Sequence, residues 1–284
     1  MTLREQKVRS RFITLLQPIA FLAFALPLSA QPNKVPTLDE LLQRLETNLN
    51  EYDAQVPSFF CDEHAVSQVT PGMPRQNTVT DSVFRLQRGF GPDHRPVLNE
   101  SREVKSVNGK PANVQDLSGP STLSGLFEGG MAVVSINQRS CMNYRLEKRN
   151  RKDQSAPYVV RFASVITPQN SANCLLQEDG KGRALIDPAS MQITRLELTT
   201  PHHTIIPGSV WASPMKGEWV LAVDYAPVAL DGRNFWMPET ITSQSTSGRG
   251  TFHQIVWTFH ATYRNFHKLE VTSHVVPADA TPNR

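Results

Sequence analysis

The chain has 284 residues, with 29 basic and 26 acidic side chains and a formal charge of +3. Four of the basic residues and one acid fall within the first thirty positions, leaving 25 of each sign in the rest, so net charge gives no support for a nucleic-acid or anionic-membrane partner. No later segment is long and apolar enough to span a membrane as a helix, and about 250 residues can bury a sizeable core without crosslinks.

Arg4, Lys7, Arg9 and Arg11 lead into an apolar run, Ile13 to Ala30, whose heart is Ile19 to Leu26. Leu28-Ser29-Ala30 precedes Gln31. A basic region, a short apolar region and a small residue at the cut describe a secretory signal over residues 1–30, cleaved between Ala30 and Gln31. The alternative is an uncleaved anchor, against which stand the short core and the flanking Pro18 and Pro27. The mature protein is therefore expected in the periplasm or outside the cell, with no lipidation cysteine at its start.

Residues 31–276 read as a single β-rich domain, and 277–284 as a disordered tail. Its one strong helix is expected over 37–54. Thr37 and Glu40 make a capping-box pattern, and Leu38, Leu41, Leu42, Leu45, Leu49 and Tyr52 form one apolar stripe. Pro57 ends it by pushing Val56 toward extended geometry. A lone amphipathic helix must bury its stripe against a partner, and the chain after Pro57 is mostly strand in character.

Ser82 to Arg88 alternates, Val97 to Val107 is extended, and Asn108-Gly109 is a hairpin turn. Ser118 to Gly130 is a loop with room for one helical turn. Met142 to Glu147 and Tyr158 to Val165 form a strand pair. A meander comes next: Arg183 to Ile186, a turn at Asp187-Pro188-Ala189-Ser190, Met191 to Leu198, Glu218 to Ala226, a turn at Asp231-Gly232, and Phe235 to Ser243. Trp257, Phe259, Ala261 and Tyr263 line one face of a late strand, and Leu269 to Val276 is expected to close the series.

Three cysteines sit in a compartment that permits disulfides. Cys141 and Cys174 bracket a strand pair and are the preferred bridge, with Cys61 left free and buried; three unpaired buried thiols is the alternative. His253, His260, His267 and His274 recur every seven residues, but odd spacing on a strand alternates faces and argues against a metal site. Cys61-Asp62-Glu63-His64 places a thiol near an imidazole, yet Cys61 follows Phe59 and Phe60 and reads as structural. The run Arg145 to Lys152 holds five basic residues around Glu147 and reads as a solvated hairpin end. There is no nucleophile elbow, phosphate loop or C-x-x-C, so no catalytic residue, metal or cofactor is assigned.

The hairpin GRALIDPASMQITRLEL, followed by WVLAVDYAPVALDGRNFWMPETI, resembles the periplasmic lipoprotein-carrier (LolA/LolB-like) superfamily over residues 37–52 and 183–275. The long middle section and the cysteines depart from it, and no ligand-contacting residue is carried over. The resemblance implies a mainly β (α+β) fold: a curved antiparallel sheet or half-open barrel with the N-terminal amphipathic helix on its concave face. It also implies noncatalytic binding of a lipid or acylated protein. The candidate cavity lining is then Trp219, Val223 and Tyr225 on one strand, with Trp257, Phe259 and Tyr263 on another, around an apolar pocket of several hundred Å³. The competing readings are an envelope interaction protein with a self-filled core and, least supported, an exported hydrolase.

Overall fold

The computed structural model describes residues 35–70, 76–91, 96–112, 125–127, 130–149, 153, 155–205, 215–249 and 252–270. Every element named here lies within one unit, Pro36–Arg284. The expected signal, its cut between Ala30 and Gln31, and the tail 277–284 lie outside the described residues.

The expected helix is α1, Leu38–Gln55. Glu40 donates its backbone N–H to Thr37 Oγ1 at 3.3 Å, and Thr37 returns its own to Glu40 Oε2 at 2.6 Å, so two otherwise orphaned donors are satisfied. Asp39 and Glu40 in the first turn complement the helix dipole. Leu41, Leu42, Leu45 and Tyr52 are buried, whereas Leu38 and Leu49 sit at the margin of the stripe.

Among the described residues eleven strands come after it: β1 (Phe59–Val69), β2 (Gln76–Phe90), β3 (Pro96–Val107), β4 (Lys110–Pro111), β5 (Met142–Leu146), β6 (Tyr158–Ser164), β7 (Lys181–Ile186), β8 (Ile193–Ile205), β9 (Met215–Leu230), β10 (Arg233–Arg249) and β11 (Phe252–Lys268). They form one antiparallel sheet in the order β4-β3-β2-β1-β11-β10-β9-β8-β7-β6-β5. The sheet is not closed, since β4 and β5 stand at opposite edges. Mainly β with one N-terminal helix is thus the observed class. The last described strand, β11, enters between β10 and β1, joining the two halves of the chain. Most of the expected closing strand, Leu269 to Val276, lies outside the described residues. Residues 269 and 270 lie past the end of β11, where Leu269 donates to Ser58 O, and 271–276 lie outside the described residues.

Strand alternation divides the sheet into an inner face, which carries the core, and an outer one. On β1, Phe59, Cys61, Glu63, Ala65 and Ser67 are buried while Asp62 and His64 are exposed. Pro238 sits inside β10, where it cannot donate to a ladder, and the register with β9 slips there between Pro238 and Thr240. Gly182 on β7 has a steric reason to be glycine: an added Cβ would lie 2.0 Å from Glu197 O and 2.5 Å from the Phe162 ring. Cys141 and Cys174 are joined, with Cα atoms 5.4 Å apart, and the bridge spans β5 and β6; Cys61 is buried and free.

Candidate functional site

Register places the six candidate lining residues on the inner face. Trp219, Ser245 and Trp257 stand abreast on β9, β10 and β11, with Val69 next on β1. The neighbouring row is Leu221, Ser243, Phe259, Ser67 and Thr78, and the next is Val223, Ile241, Ala261, Ala65 and Thr80. Tyr225 and Tyr263 lie further toward the end covered by α1. All are buried except Trp219 and Val69, which are half-buried.

The expected apolar wall is more polar than its aromatic residues suggest. Ser67, Thr78, Thr80, Ser82, Ser243 and Ser245 are buried between and beside them. Trp219 donates its indole N–H to Ser243 Oγ at 2.6 Å, and Trp257 donates to Ser67 Oγ at 3.3 Å. A buried indole needs an acceptor, and serines on the adjacent strands supply it. Alternate hydroxyls in Thr78, Thr80 and Ser82, and in Ser243 and Ser245, are the sequence signal for this floor.

The opposite end of the inner face is aromatic. Phe127 stacks on Phe84 with ring centres 4.3 Å apart and meets Tyr263 edge-on at 4.9 Å. Phe59 joins the same cluster. Beside it lies an ion group that no local sequence pattern announces. Arg102 Nε donates to Glu63 Oε2 at 2.6 Å, with both side chains nearly or fully buried, and its guanidinium lies 4.9 Å from the Phe84 ring centre. Glu100 accepts from the backbone N–H groups of Gly125 and Phe127, tying that segment to β3. Burial pushes the Glu63 carboxyl upward, more than Arg102 pulls it down. Burial opposes the charge on Arg102, but Glu63 holds its pKa above the usual value.

Glu63 comes from the Cys61-to-His64 run, in which Cys61 shares its face. Alternation puts them inside and sends Asp62 and His64 out, where His64 pairs with Asp81 at 2.7 Å. The Cys61 thiol is pushed up by burial and then by Glu63 and Asp62, so it stays protonated and no thiol–imidazole pair forms. The histidine periodicity behaves differently from expectation. An irregularity at Asn265, whose φ is +56°, brings His260 and His267 to the same outer face. Seven residues of strand still hold them about 20 Å apart. Among the described residues no three His, Cys, Asp or Glu side chains are grouped to hold a metal.

α1 covers the aromatic end. Asn48 Nδ2 donates to Met191 O at 2.7 Å, and Asn137 Nδ2 to Glu46 Oε1 at 2.5 Å. The helix has no basic residue in its last turn, and Arg88 on β2 supplies the missing cation. Its Nη2 donates to Asp53 O and Val56 O at 2.7 and 2.8 Å. Three polar atoms at the helix are buried without a hydrogen-bond partner among the described residues: Glu46 Oε2, Tyr52 OH and Tyr225 OH. Burial pushes both phenols up, which keeps them neutral donors.

Between α1 and the β9–β10 hairpin lies a cleft of about 80 Å³, lined by Leu45, Leu49, Tyr52, Met131, Phe235 and Trp236 among others. Among the described residues the cleft between helix and sheet is thus smaller than the expected pocket of several hundred Å³. The reason is physical: three leucines, Tyr52, Val133, Val134 and Phe127 fill the space.

No protein-family model matches the chain, and no curated protein matches it in sequence. Solved structures do. A LolA superfamily protein of Nitrosomonas europaea is 11% identical at a TM-score of 0.33, covering 81% of this chain and 94% of that one. A domain assigned to outer membrane lipoprotein sorting in Vibrio parahaemolyticus is 10% identical at 0.35, covering 78% and 90%. A DUF1329 family protein of Desulfovibrio piger is 10% identical at 0.36, covering 81% and 92%.

Proposed function

We propose that the chain is an exported, noncatalytic binding protein that takes the acyl chain of a lipid or lipid-modified protein onto the inner face of its sheet, with α1 as a displaceable cover. The Cys141–Cys174 bridge fits the oxidising compartment this requires. The single observation that carries the reading is the poor polar match beneath the helix. Burying Leu41, Leu42 and Leu45 contributes about 1.5–3 kcal/mol each. Each buried polar atom without a partner costs about 1–3 kcal/mol, and Glu46, Tyr52 and Tyr225 supply three of them. The unpartnered polar atoms work against the apolar burial, which favours a cover able to leave the sheet. An acyl chain entering at the cleft by Leu49, Phe235 and Trp236 would replace the leucines, and its ester or amide group could meet the phenols. Tyr225 and Tyr263 lie nearest the space so opened, and Val223, Phe259, Trp219 and Trp257 continue the same face beyond it.

Titration of delipidated protein with a fluorescent fatty acid tests this. Saturable uptake is expected, and Leu49→Trp, which fills the cleft, should weaken it about tenfold or roughly 1.4 kcal/mol. Folded wild-type protein that takes up no probe would overturn it. The second reading, an envelope interaction protein with a self-filled core, would then stand, and it is favoured by the small cleft volume of about 80 Å³.

A further inference from the structure

The outer face of β5–β8 carries a feature that net charge conceals. Arg145 pairs across strands with Arg161, Arg161 with Arg183, and Arg183 with Glu197, so three guanidinium groups stand abreast. Lys181 lies on the same face one step along β7. Neighbouring strands are roughly 4.8 Å apart, and like charges directly opposite each other destabilise a sheet. Carboxylates relieve part of this: Glu147 pairs with Arg161, and Glu197 with Arg183 and Arg195. Arg145 and Lys181 are exposed and take no carboxylate partner among the described residues. A groove of about 510 Å³ runs along this face between Asn143, Arg145, Arg161, Lys181, Arg183 and Thr199.

Charged residues on an edge strand often serve to discourage edge pairing. That accounts for Arg145, since β5 is an edge, but not for Arg161 and Arg183, which lie on interior strands. A second observation lies beside the basic row. Val165, at the end of β6, is 47% exposed and donates its backbone N–H to Cys141 O, while Leu175, next to Cys174, is 48% exposed. Val165 continues the alternation of Arg161 and Ala163 on the outer face, and Leu175 is exposed beside the disulfide.

We infer that this face docks onto an anionic phospholipid surface, with Arg145, Arg161, Lys181 and Arg183 meeting headgroup phosphates and Val165 and Leu175 entering the interface. Guanidinium groups suit phosphate because their planar fork donates two hydrogen bonds at once. The apolar pair favours a bilayer over an acidic peptide, because a peptide gives it nothing to enter. Docking uses the outer face and does not depend on acyl uptake at the inner one.

Flotation of the full chain, taken from Gln31, with phosphatidylglycerol–phosphatidylcholine vesicles tests this. Binding should rise with the anionic fraction and fall with salt. Each cation near such a surface contributes about 1 kcal/mol, roughly fivefold, so Arg145→Gln with Lys181→Gln should weaken partitioning about 25-fold. Val165→Ser with Leu175→Ser should weaken it at unchanged salt dependence, and Glu147→Gln should strengthen it. Uptake of the fatty-acid probe by these variants should match wild type, which separates failure of docking from failure of the carrier reading. Indifference of the wild type to anionic lipid, or full binding by the Arg145→Gln, Lys181→Gln variant, overturns the inference.

Discussion

The two faces of the sheet hold ion pairs under opposite rules. Inside, Glu63 and Arg102 meet at 2.6 Å with side chains 0% and 8% exposed. Outside, Arg183, Glu197, Arg195 and Asp224 form a chain across β7, β8 and β9 in contact with water. The inner carboxyl is pushed up because burial outweighs its partner. The outer Glu197 carboxyl is pulled down to about 2, first by the hydrogen bond from Arg183, with burial opposing. Contact distance is nearly the same in both places. The solvent decides whether a carboxylate is favoured or strained by its site.

The largest expected effect comes from breaking the inner pair. Arg102→Leu leaves the buried Glu63 carboxyl without its cation, and should cost about 3–5 kcal/mol. Urea unfolding would measure it; a loss below about 1 kcal/mol would show that Glu63 protonates or finds water without strain. Replacing both partners, Glu63→Gln with Arg102→Met, should recover most of that loss, because the desolvation cost goes with the charges. A double variant as unstable as Arg102→Leu alone would mean that Arg102 acts through packing on Phe84.

Acid unfolding sharpens the contrast in sign. Glu197, with a depressed pKa, contributes stability that is present above its unfolded value and is lost as pH falls toward about 2. Wild type should therefore lose its advantage over Glu197→Gln across that range. Glu63, with a raised pKa, binds its proton more readily when folded, so its strain is relieved as pH falls. Wild type should gain on Glu63→Gln as the pH is lowered past the raised value. Parallel curves for the two variants would contradict the assigned directions. The smallest effect is expected for Arg195→Ala, where a half-exposed pair is screened and typically worth about 0–1 kcal/mol. A thermal unfolding shift beyond that scale would mean that the outer chain is cooperative.

The candidate surface was legible in part. Alternation in Trp219 to Tyr225 and in Trp257 to Tyr263 placed each set on one strand face, since side chains two apart share a face whatever the partner strand. Which hydroxyls would stand between them was not legible, because Ser243 meets Phe259 and Leu221 through registers set by β10. The role of Arg102 was hidden for a similar reason. It lies 39 residues from Glu63, and nothing around it distinguishes it from a surface arginine until β1, β2 and β3 pair.

Local chemistry by itself determined the start of α1, its apolar stripe, the turns at Asn108-Gly109 and Asp231-Gly232, and which two cysteines could meet. Each depends on backbone preferences or side chains a few residues apart, or on a short strand pair between them. The tertiary structure decided the rest. The end of α1 is held by Arg88, more than 30 residues on, because orphaned helix carbonyls accept from any cation the fold brings near. The insertion of β11 beside β1, the closure of the inner face to a cleft of about 80 Å³, and the basic row of Arg145, Arg161 and Arg183 arise likewise from strand registers between distant segments, which no local window of sequence contains.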